Sequence, residues 1–390
     1  MSGWNRKRLF LFVLVVGLLL AACAPTVSPA PQPAAPQPAA APTARPAAVP
    51  QVAPDDAAWQ EVVKAAQKEG RLIIYDYGLF GGDWGRAVTA AFKNRYGISV
   101  DLLITGGSSV TLEKLRVEKK MGITVADMAT AGSVSARAMI ELGVMKKDVH
   151  RDLPALKDKS VFIMDPVYSP GGEAISINYT RLGQGFNTNL VKPGEIQSQY
   201  DLLDPKWRGK IAMRDPRLGS GGEPLSVTTF LQTKTLDENF FLRLAEQKPA
   251  LLGVGYFEVA QMVARGEYAV YWAAGIDNYL SPLIKEGAPI SVTPMKEGTI
   301  AQSSTLMILE ASSHPNAAKL FVNWILTADG QRVLHEVRGA PPFRKDLPDF
   351  SPALIASLKF DKIIPFTWEL ADQVNTDVRG GLMEKLFGKR

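Results

Sequence analysis

The sequence predicts an α/β protein whose folded part is divided into two lobes. Segments with strand and helix patterns alternate between residues 55 and 390, a region of ordinary globular composition without repeats. Such alternation is typical of a mainly parallel sheet with helices on both faces. The chain has 390 residues, 46% of them hydrophobic, which is more than one ordinary domain needs. We therefore expect two α/β lobes, with loops that enclose a small molecule in the cleft between them.

Helices and strands alternate in the first stretch of the folded part. Apolar residues at helical spacing predict helices around 59–66, 88–92 and 112–115, and Gly70 is placed to end the first of these. Short apolar runs predict strands at 71–75, 98–104 and 125–129. Ligands bind beyond the carboxyl ends of parallel strands. The loops that follow these strands, which are residues 76–82, 105–109 and 130–133, should therefore carry ligand-binding groups.

The strand pattern resumes after residue 173. Further strands are predicted at 174–178, 210–213, 268–272 and 300–309. With this second run of strands, two α/β lobes fit the pattern better than one.

The first 22 residues have the composition of an export signal. A short positive segment, an apolar run at 9–20 and the sequence Leu-Ala-Ala-Cys at 20–23 predict a signal peptide over residues 1–22. The apolar run is too short for a membrane span, which needs about 20 residues. The Leu-Ala-Ala-Cys segment resembles the bacterial lipobox, and this implies that Cys23 is lipidated. Ordinary secretion with a spare buried cysteine is the alternative.

A proline- and alanine-rich linker follows the lipidated Cys23, so that residues 23–54 form the anchor and spacer. Residues 24–54 hold ten prolines and a single charge, Arg45, which cannot build a core. Extended polyproline II at about 3.1 Å per residue would reach up to roughly 90 Å. We expect an exported protein tethered to the outer face of the cell membrane or held in the periplasm.

The residue inventory argues against several functional classes. Cys23 is the only cysteine, so the folded part has no disulfide framework, cysteine metal site or catalytic thiol. The three histidines are scattered, and no nucleophile elbow, phosphate loop or His-Glu-x-x-His motif occurs. The net charge of +5 falls to +2 without Arg6, Lys7 and Arg8 of the signal peptide. We predict no enzyme activity, no cofactor and no nucleic-acid partner.

Glycine- and serine-rich turns offer backbone N–H groups to an anion. They occupy residues 106–109 and 219–222, each before a segment that could form a helix. N–H groups at a helix N-terminus bind anions without a charged side chain, although tight structural turns are the alternative reading. Aromatic residues also cluster near the presumed cleft loops, and we expect about three of the following eight to touch ligand, because most aromatic residues are core: Tyr75, Tyr77, Phe80, Trp84, Tyr168, Tyr256, Trp272 and Tyr279.

Two long segments resemble a known family. They are residues 200–216 (YDLLDPKWRGKIAMRDP) and residues 313–331 (SHPNAAKLFVNWILTADGQ). Both are similar to segments of the extracellular solute-binding proteins of ABC importers, in the ferric-ion and small-anion branch. The resemblance implies a two-lobed periplasmic-binding-protein fold of type II, with crossover strands near 173–178 and 298–304 as the hinge. It also implies that the closed form docks on a membrane permease.

The resemblance implies lobe boundaries and a monomer. Lobe 1 is expected to comprise residues 55–175 and 300–345, and lobe 2 residues 176–299 and 346–390. A sensor-coupled binding protein is one alternative. An enzyme is the other, because a related thiamine-degrading enzyme shares the architecture, but it uses a cysteine nucleophile that this folded part lacks.

The family's ferric-ion pattern mostly fails in this sequence. Of four expected iron ligands only Tyr279 remains, and one phenolate without a partner carboxylate would hold a hard cation poorly. The family's anion loop fits residues 219–222, with Tyr256 in place of an asparagine that also contacts the anion. Arg214 and Asp277 would suit an organic ligand with a carboxylate or phosphonate and an amine, and an interlobe salt bridge between them is the alternative.

The sequence and the resemblance together therefore predict an organic-anion or phosphonate-like ligand, with ferric ion as the alternative. The expected ligand-binding residues are Tyr75, Tyr77, Gly107, Ser108, Ser133, Arg214, Ser220, Gly221, Gly222, Tyr256, Asp277 and Tyr279. No metal site is expected.

Overall fold

The computed structural model describes residues 57–218 and 221–389. The predicted signal peptide, Cys23 and the linker lie outside these residues, as does Ser220 of the second glycine-rich turn. Within the described ranges, no helix combines the length and the apolar character that a membrane span requires.

The described residues form ten strands. These are β1 (Arg71–Asp76), β2 (Ser99–Ile104), β3 (Met128–Gly132), β4 (Ala174–Asn187), β5 (Ile211–Arg214), β6 (Ala250–Leu252), β7 (Val270–Gly275), β8 (Ile290–Thr293), β9 (Thr299–Ile308) and β10 (Ile363–Pro365).

They also form thirteen α-helices and one π-helical turn, Ile276–Leu280, which follows β7. The helices are α1 (Ala57–Glu69), α2 (Gly82–Tyr96), α3 (Ser108–Met121), α4 (Ser133–Glu141), α5 (Gly222–Gln232), α6 (Glu238–Glu246), α7 (Tyr256–Ala264), α8 (Ser281–Lys285), α9 (Pro315–Leu326), α10 (Ala328–Arg338), α11 (Ala353–Ala356), α12 (Trp368–Arg379) and α13 (Leu382–Phe387).

All ten strands belong to one mixed sheet. The main order is β2-β1-β3-β9-β4-β7-β5-β6, with β10 beside β9 and β8 beside β4. At one end β2, β1 and β3 run parallel, and at the other end β7, β5 and β6 run parallel. Between these ends, β9 and β4 are antiparallel to each other and to β3 and β7 respectively. Two parallel α/β units are therefore joined through two long central strands.

The two central strands are the predicted crossover strands. They pair from Ala174 opposite Met307 to Leu182 opposite Ile300. The segment predicted as a short strand at 174–178 extends to residue 187, and all fourteen of its positions are buried. The extension arises because the far half of β4 is flanked by β7 and β8 and so has its main-chain groups paired. The predicted fold class is confirmed.

Aromatic packing builds separate cores on the two units. Phe92 of α2 packs against Phe321 and Trp324 of α9 at ring-centroid distances of 5.0 and 5.4 Å. On the other unit, Phe241 of α6 packs edge-on against Trp272 of β7 at 6.2 Å. Helix α12 contacts both α4 and α5 and so touches both units.

The local predictions differ from the structure by a few residues. Helix α1 ends before Gly70, whose φ of +69° suits glycine, as expected. The strand predicted at 125–129 instead begins at Met128, because Asp127 turns its carboxylate back to accept the Ile73 N–H at 2.8 Å. These shifts leave the carboxyl ends of β1, β2 and β3 at one edge of the sheet.

Candidate functional site

A cavity of about 400 Å³ lies where the loops of the two parallel units meet the central strands. One wall comes from the segments that follow β1, β2 and β3, and the other from those that follow β5, β6 and β7. Thr180 and Leu182 of β4 and Gln302 and Ser304 of β9 complete the lining. The cavity therefore draws on six strand ends, as expected for the binding cleft of an α/β protein.

Four helix N-termini meet at this cavity. Helices α3, α4, α5 and α7 have glycine at the N-cap, and no side chain caps any of them. All four N-cap glycines line the cavity: Gly107, Gly132, Gly221 and Gly255. Uncapped first turns leave N–H groups that hold partial positive charge, so each terminus favours a negative ligand.

One cation stands among these helix ends. Arg214, the last residue of β5, is the only charged side chain among the described residues of the lining. Its Nη1 donates a hydrogen bond to the Tyr256 hydroxyl at 3.2 Å, and its guanidinium lies 4.9 Å from the centre of that ring. Tyr256 in turn stacks on Tyr279, with ring centroids 5.2 Å apart and planes 13° apart. The pair of rings holds the guanidinium at the cavity wall.

The cavity phenols are neutral at ordinary pH. Burial, together with the neighbouring Tyr256, raises the pKa of Tyr279, and burial, together with nearby Glu223, raises that of Tyr256. Burial likewise raises the pKa of Tyr77, whose hydroxyl is 2.8 Å from that of Ser304. Three neutral hydroxyls are hydrogen-bond donors that fix orientation without adding charge.

A buried carboxylate fixes the loop that carries Tyr77. Asp76 accepts the main-chain N–H groups of Gly78, Leu79 and Phe80 at 3.0–3.2 Å and the Thr130 hydroxyl at 2.8 Å. The loop is therefore tied both to itself and to β3. This network directs the chain after β1 toward the cavity.

Glu223 lies fully buried behind the Arg214 wall. It is the second residue of α5, and its Oε1 accepts the main-chain N–H of Arg214 at 3.1 Å. Its Oε2 has no hydrogen-bond partner among the described residues. Burial raises the pKa of this carboxyl from 4.5 to about 8, although Arg214 and main-chain N–H groups oppose the rise.

The structure places eight of the twelve predicted binding residues on the cavity lining. They are Tyr77, Gly107, Ser108, Arg214, Gly221, Gly222, Tyr256 and Tyr279. Of the eight aromatic residues near the cleft loops, Tyr77, Tyr256 and Tyr279 line it. The other five do not line the cavity, mainly because their rings pack in the hydrophobic cores.

Three predicted residues are not among those that line the cavity. Tyr75 is fully buried and hydrogen-bonds to Glu118, because it lies within β1, whereas Tyr77 lies in the loop that follows the strand. Asp277 is fully buried and pairs with Arg181, not with Arg214. Ser133 is fully buried within the first turn of α4, between Gly132 and Val134, which do line the cavity.

Other lining residues were missed by the sequence reading. The polar ones are Ser135, Thr180, Asn278, Gln302 and Ser304, whereas Ser109 lies in the predicted turn at 106–109. Alternation along β4 and β9 gave no local signal, because β4 is buried at every position and β9 at every position except Gln302, so their polar residues resemble ordinary core positions. Among the described residues, no group of three or more His, Cys, Asp or Glu side chains could hold a metal ion.

Comparison with known proteins decides the family. A sequence model described as "Bacterial extracellular solute-binding protein" matches residues 83–337. The chain belongs to this family. Its members are solute-binding proteins and not enzymes, so this chain is a solute-binding protein.

Individual relatives differ in what they bind. The spermidine/putrescine-binding periplasmic protein 1 of Haemophilus influenzae is 23% identical over 284 residues, which cover 70% of this chain and 75% of that protein. Iron-bound HitA of Pseudomonas aeruginosa has a TM-score of 0.65 at 20% identity and covers 81% of this chain and 99% of its own. The fructose-6-phosphate-bound AfuA of Actinobacillus pleuropneumoniae has a TM-score of 0.61 at 23% identity, with 81% and 97% covered. The fold is shared, and the solute varies.

Proposed function

We propose that this solute-binding protein captures a small organic anion, such as a carboxylate or a phosphonate-like ligand, and delivers it to the membrane permease of an ABC importer. The observation that carries the proposal is the meeting of four uncapped helix N-termini and Arg214 at one cavity. The described lining contains no carboxylate that would offset this positive field. An anion would therefore gain both from partial charges and from one full charge.

The remaining lining suits an organic ligand more than a bare ion. Asn278, Gln302 and Thr180 can hydrogen-bond to polar substituents, and Val134 and Leu182 offer apolar surface. The cavity of about 400 Å³ also exceeds what a single small ion would fill. A ligand with an anionic head and a polar body matches these surroundings.

Lobe closure is part of the proposal. Residues 55–175 with 300–345 would move against residues 176–299 with 346–390, and β4 with β9 would form the hinge. The change of strand direction at these two central strands supports this division. Binding of an anion should therefore reduce the radius of gyration in small-angle X-ray scattering.

Thermal unfolding against a solute panel tests the ligand class. The panel contains organic acids, phosphonates, sugar phosphates, amino acids, polyamines, thiamine, and ferric ion with phosphate. A ligand at 100 times its dissociation constant adds about 2.7 kcal/mol, which raises the melting temperature by several degrees. Shifts confined to organic anions are the expected result, and a shift with polyamines alone would contradict it.

Ferric ion is the second candidate in the same panel. It is favoured by the iron-bound neighbour and by Tyr279, which occupies the one retained position of the family's iron pattern. A ferric complex with a phenolate would show a visible charge-transfer band. Such a band, together with a thermal shift by iron, would replace the organic-anion proposal.

We also propose that the protein is anchored to the membrane by lipid on Cys23. The support is the apolar run followed by Leu-Ala-Ala-Cys at 20–23. A thioether-linked diacylglycerol supplies two acyl chains, which suffice for stable anchoring. Replacing Cys23 with serine should release the protein from the membrane fraction, and retention of the variant in that fraction would contradict the anchor.

A further inference from the structure

Glu223 places a buried carboxyl group directly behind Arg214, the cation of the proposed anion site. Its side chain has no exposed surface, and it sits in the first turn of α5, whose N-cap Gly221 lines the cavity. A Cβ atom added to Gly221 would lie 2.1 Å from the Tyr256 hydroxyl and 3.4 Å from Glu223 Oε2. The acid, the phenol and the glycine N-cap therefore meet at one point of the wall.

The hydrogen bonding around Glu223 fits the neutral acid. An ionised carboxylate offers about four acceptor sites, and burial without partners for them is costly. Here Oε1 accepts the Arg214 N–H, whereas Oε2 has no partner among the described residues. A neutral acid leaves one O–H group unpaired at Oε2, whereas a carboxylate would leave a negative charge unpaired there, so the neutral acid is the less costly form.

The charged and titratable groups around Glu223 come from strands β5 and β7 and from helix α7. Arg214 ends β5 and Asp215 follows it, while Tyr256 begins α7 and Tyr271 lies on β7. Asp215 forms an ion pair with Arg217, so its charge is locally balanced. Burial raises the pKa values of both tyrosines, which therefore remain neutral up to at least pH 10. Arg214 is the one cation that faces both Glu223 and the cavity.

We propose that Glu223 is a positioning residue whose proton is coupled to anion binding. As a neutral acid, Glu223 leaves the positive charge of Arg214 and of the α5 N-terminus free to attract the anion. As a carboxylate, it would offset that charge and repel the ligand. The proposal rests on the proposed anion-binding function. The protein would then bind an ionised oxyanion while Glu223 keeps its proton.

The expected signature is a loss of affinity at alkaline pH. Because burial raises the pKa of Glu223 to about 8, the acid loses its proton between about pH 7 and pH 9 when the cavity is empty. A unit charge a few ångströms from the ligand should weaken binding by about tenfold or more across this range. By linkage, anion binding near pH 8 should also cause proton uptake.

The test measures binding of sulfate and acetate by titration calorimetry at pH 6.5, 8.0 and 9.5. Both probes keep their charge over this range, so a change in affinity reports on the protein. The wild-type protein should bind about tenfold more weakly at pH 9.5 than at 6.5. Glu223→Gln keeps the neutral shape, so its affinity should not change with pH. Glu223→Met cannot accept the Arg214 N–H and should bind more weakly at every pH. Glu118→Gln changes a buried carboxyl that is not part of the lining, so it is the matched control and should keep the wild-type profile.

A second measurement does not depend on any variant that might misfold. At pH 8.0 the binding enthalpy of the wild-type protein is compared in phosphate-free buffers of different ionisation enthalpy, which reports proton uptake. The role of Glu223 would be overturned if anion binding depends on Arg214 but the affinity of the wild-type protein does not change with pH and no proton is taken up. The anion site would then still stand. Failure of sulfate and acetate to bind at 50 mM, together with no thermal shift by any organic anion of the panel, would overturn the anion site itself, and this role with it.

Discussion

Arg181 and Asp277 form a buried ion pair that links the central strand β4 to the segment carrying Tyr279. Arg181 Nη2 lies 2.5 Å from Asp277 Oδ1, and the main-chain N–H of Arg181 donates to Oδ2 at 2.8 Å. The arginine also stacks on Phe360, 4.3 Å from the ring centre. The pair therefore holds the π-helical turn, and with it Asn278 and Tyr279, against the sheet.

Replacing Asp277 with asparagine should destabilise the protein strongly. The change leaves the Arg181 charge buried without its counter-ion, which costs about 3–5 kcal/mol in unfolding free energy. Urea unfolding followed by circular dichroism gives this value. Glu267→Gln removes the exposed ion pair with Arg265 and should cost less than about 1 kcal/mol. Equal effects of the two substitutions would contradict the anchoring role.

Replacing Arg214 with alanine should weaken binding of an organic anion by more than about tenfold, because the lining loses its full positive charge. Arg214→Lys should restore only part of the affinity, since an ammonium lacks the planar fork that stacks on Tyr256. Titration calorimetry measures both, with Arg265→Ala at an exposed ion pair as the control. Unchanged affinity of Arg214→Ala would reject the site.

Replacing Tyr279 with alanine should also weaken binding by more than about tenfold. The variant removes a lining hydroxyl and the ring that stacks on Tyr256, so Arg214 loses the support of the stacked pair. Tyr279→Phe keeps the stack and should retain a larger share of the affinity. If both variants bind as the unchanged protein does, Tyr279 has no part in the site.

A double-mutant cycle can test the close approach of Gly221 and Tyr256. The backbone of Gly221 is extended, so alanine is accessible to it, but the new Cβ would lie 2.1 Å from the Tyr256 hydroxyl oxygen. Gly221→Ala should therefore reduce anion affinity and displace the phenol. Combining it with Tyr256→Phe removes the clashing oxygen, and the Ala substitution should then cost much less.

The control for this cycle is Gly253→Ala, because an added Cβ there meets no atom within 4 Å. It should leave the binding constant unchanged. Additive effects of Gly221→Ala and Tyr256→Phe would mean that the two residues do not interact.

Glu223 should also affect stability with a definite sign. Its pKa is near 4.5 in the unfolded chain and about 8 in the folded protein, so the folded state holds more protons between these values. Unfolding free energy of the wild-type protein relative to Glu223→Gln should therefore fall as pH rises from about 5 to 8, by an amount on the order of 4 kcal/mol. Below pH 4.5 the difference should be constant. Urea unfolding at half-unit pH steps gives the curve, and a difference that rises with pH would refute the neutral acid.

Much of the fold could be predicted because its signals are local. Apolar residues at helical spacing between 59 and 66, ended by Gly70, became α1, and alternating residues at 98–104 became β2. The turn at 106–109 lies at the N-terminus of α3, as its glycines indicated. Such patterns depend only on neighbouring residues and on the period of the element.

The candidate site was predicted where backbone shape carried the signal and missed where contacts between distant residues decided it. Gly107, Gly221 and Gly222 were found from their turns, and the structure places them on the lining. Asp277 was grouped with Arg214, but Arg181, ninety-six positions away in the chain, takes its carboxylate. Nothing in the sequence near Asp277 distinguishes an exposed carboxylate from one buried against β4.

The sequence by itself determined the alternation of strands and helices, the glycine-rich turns and the family to which the chain belongs. Only the tertiary structure decided that four glycine-capped helix ends share one cavity, that Arg214 faces it and that Glu223 is buried behind Arg214. The physical reason is that propensity and periodicity act over a few residues. Burial and charge, in contrast, depend on which distant strands pair, and here the antiparallel pairing of β4 with β9 brings the two halves of the site together.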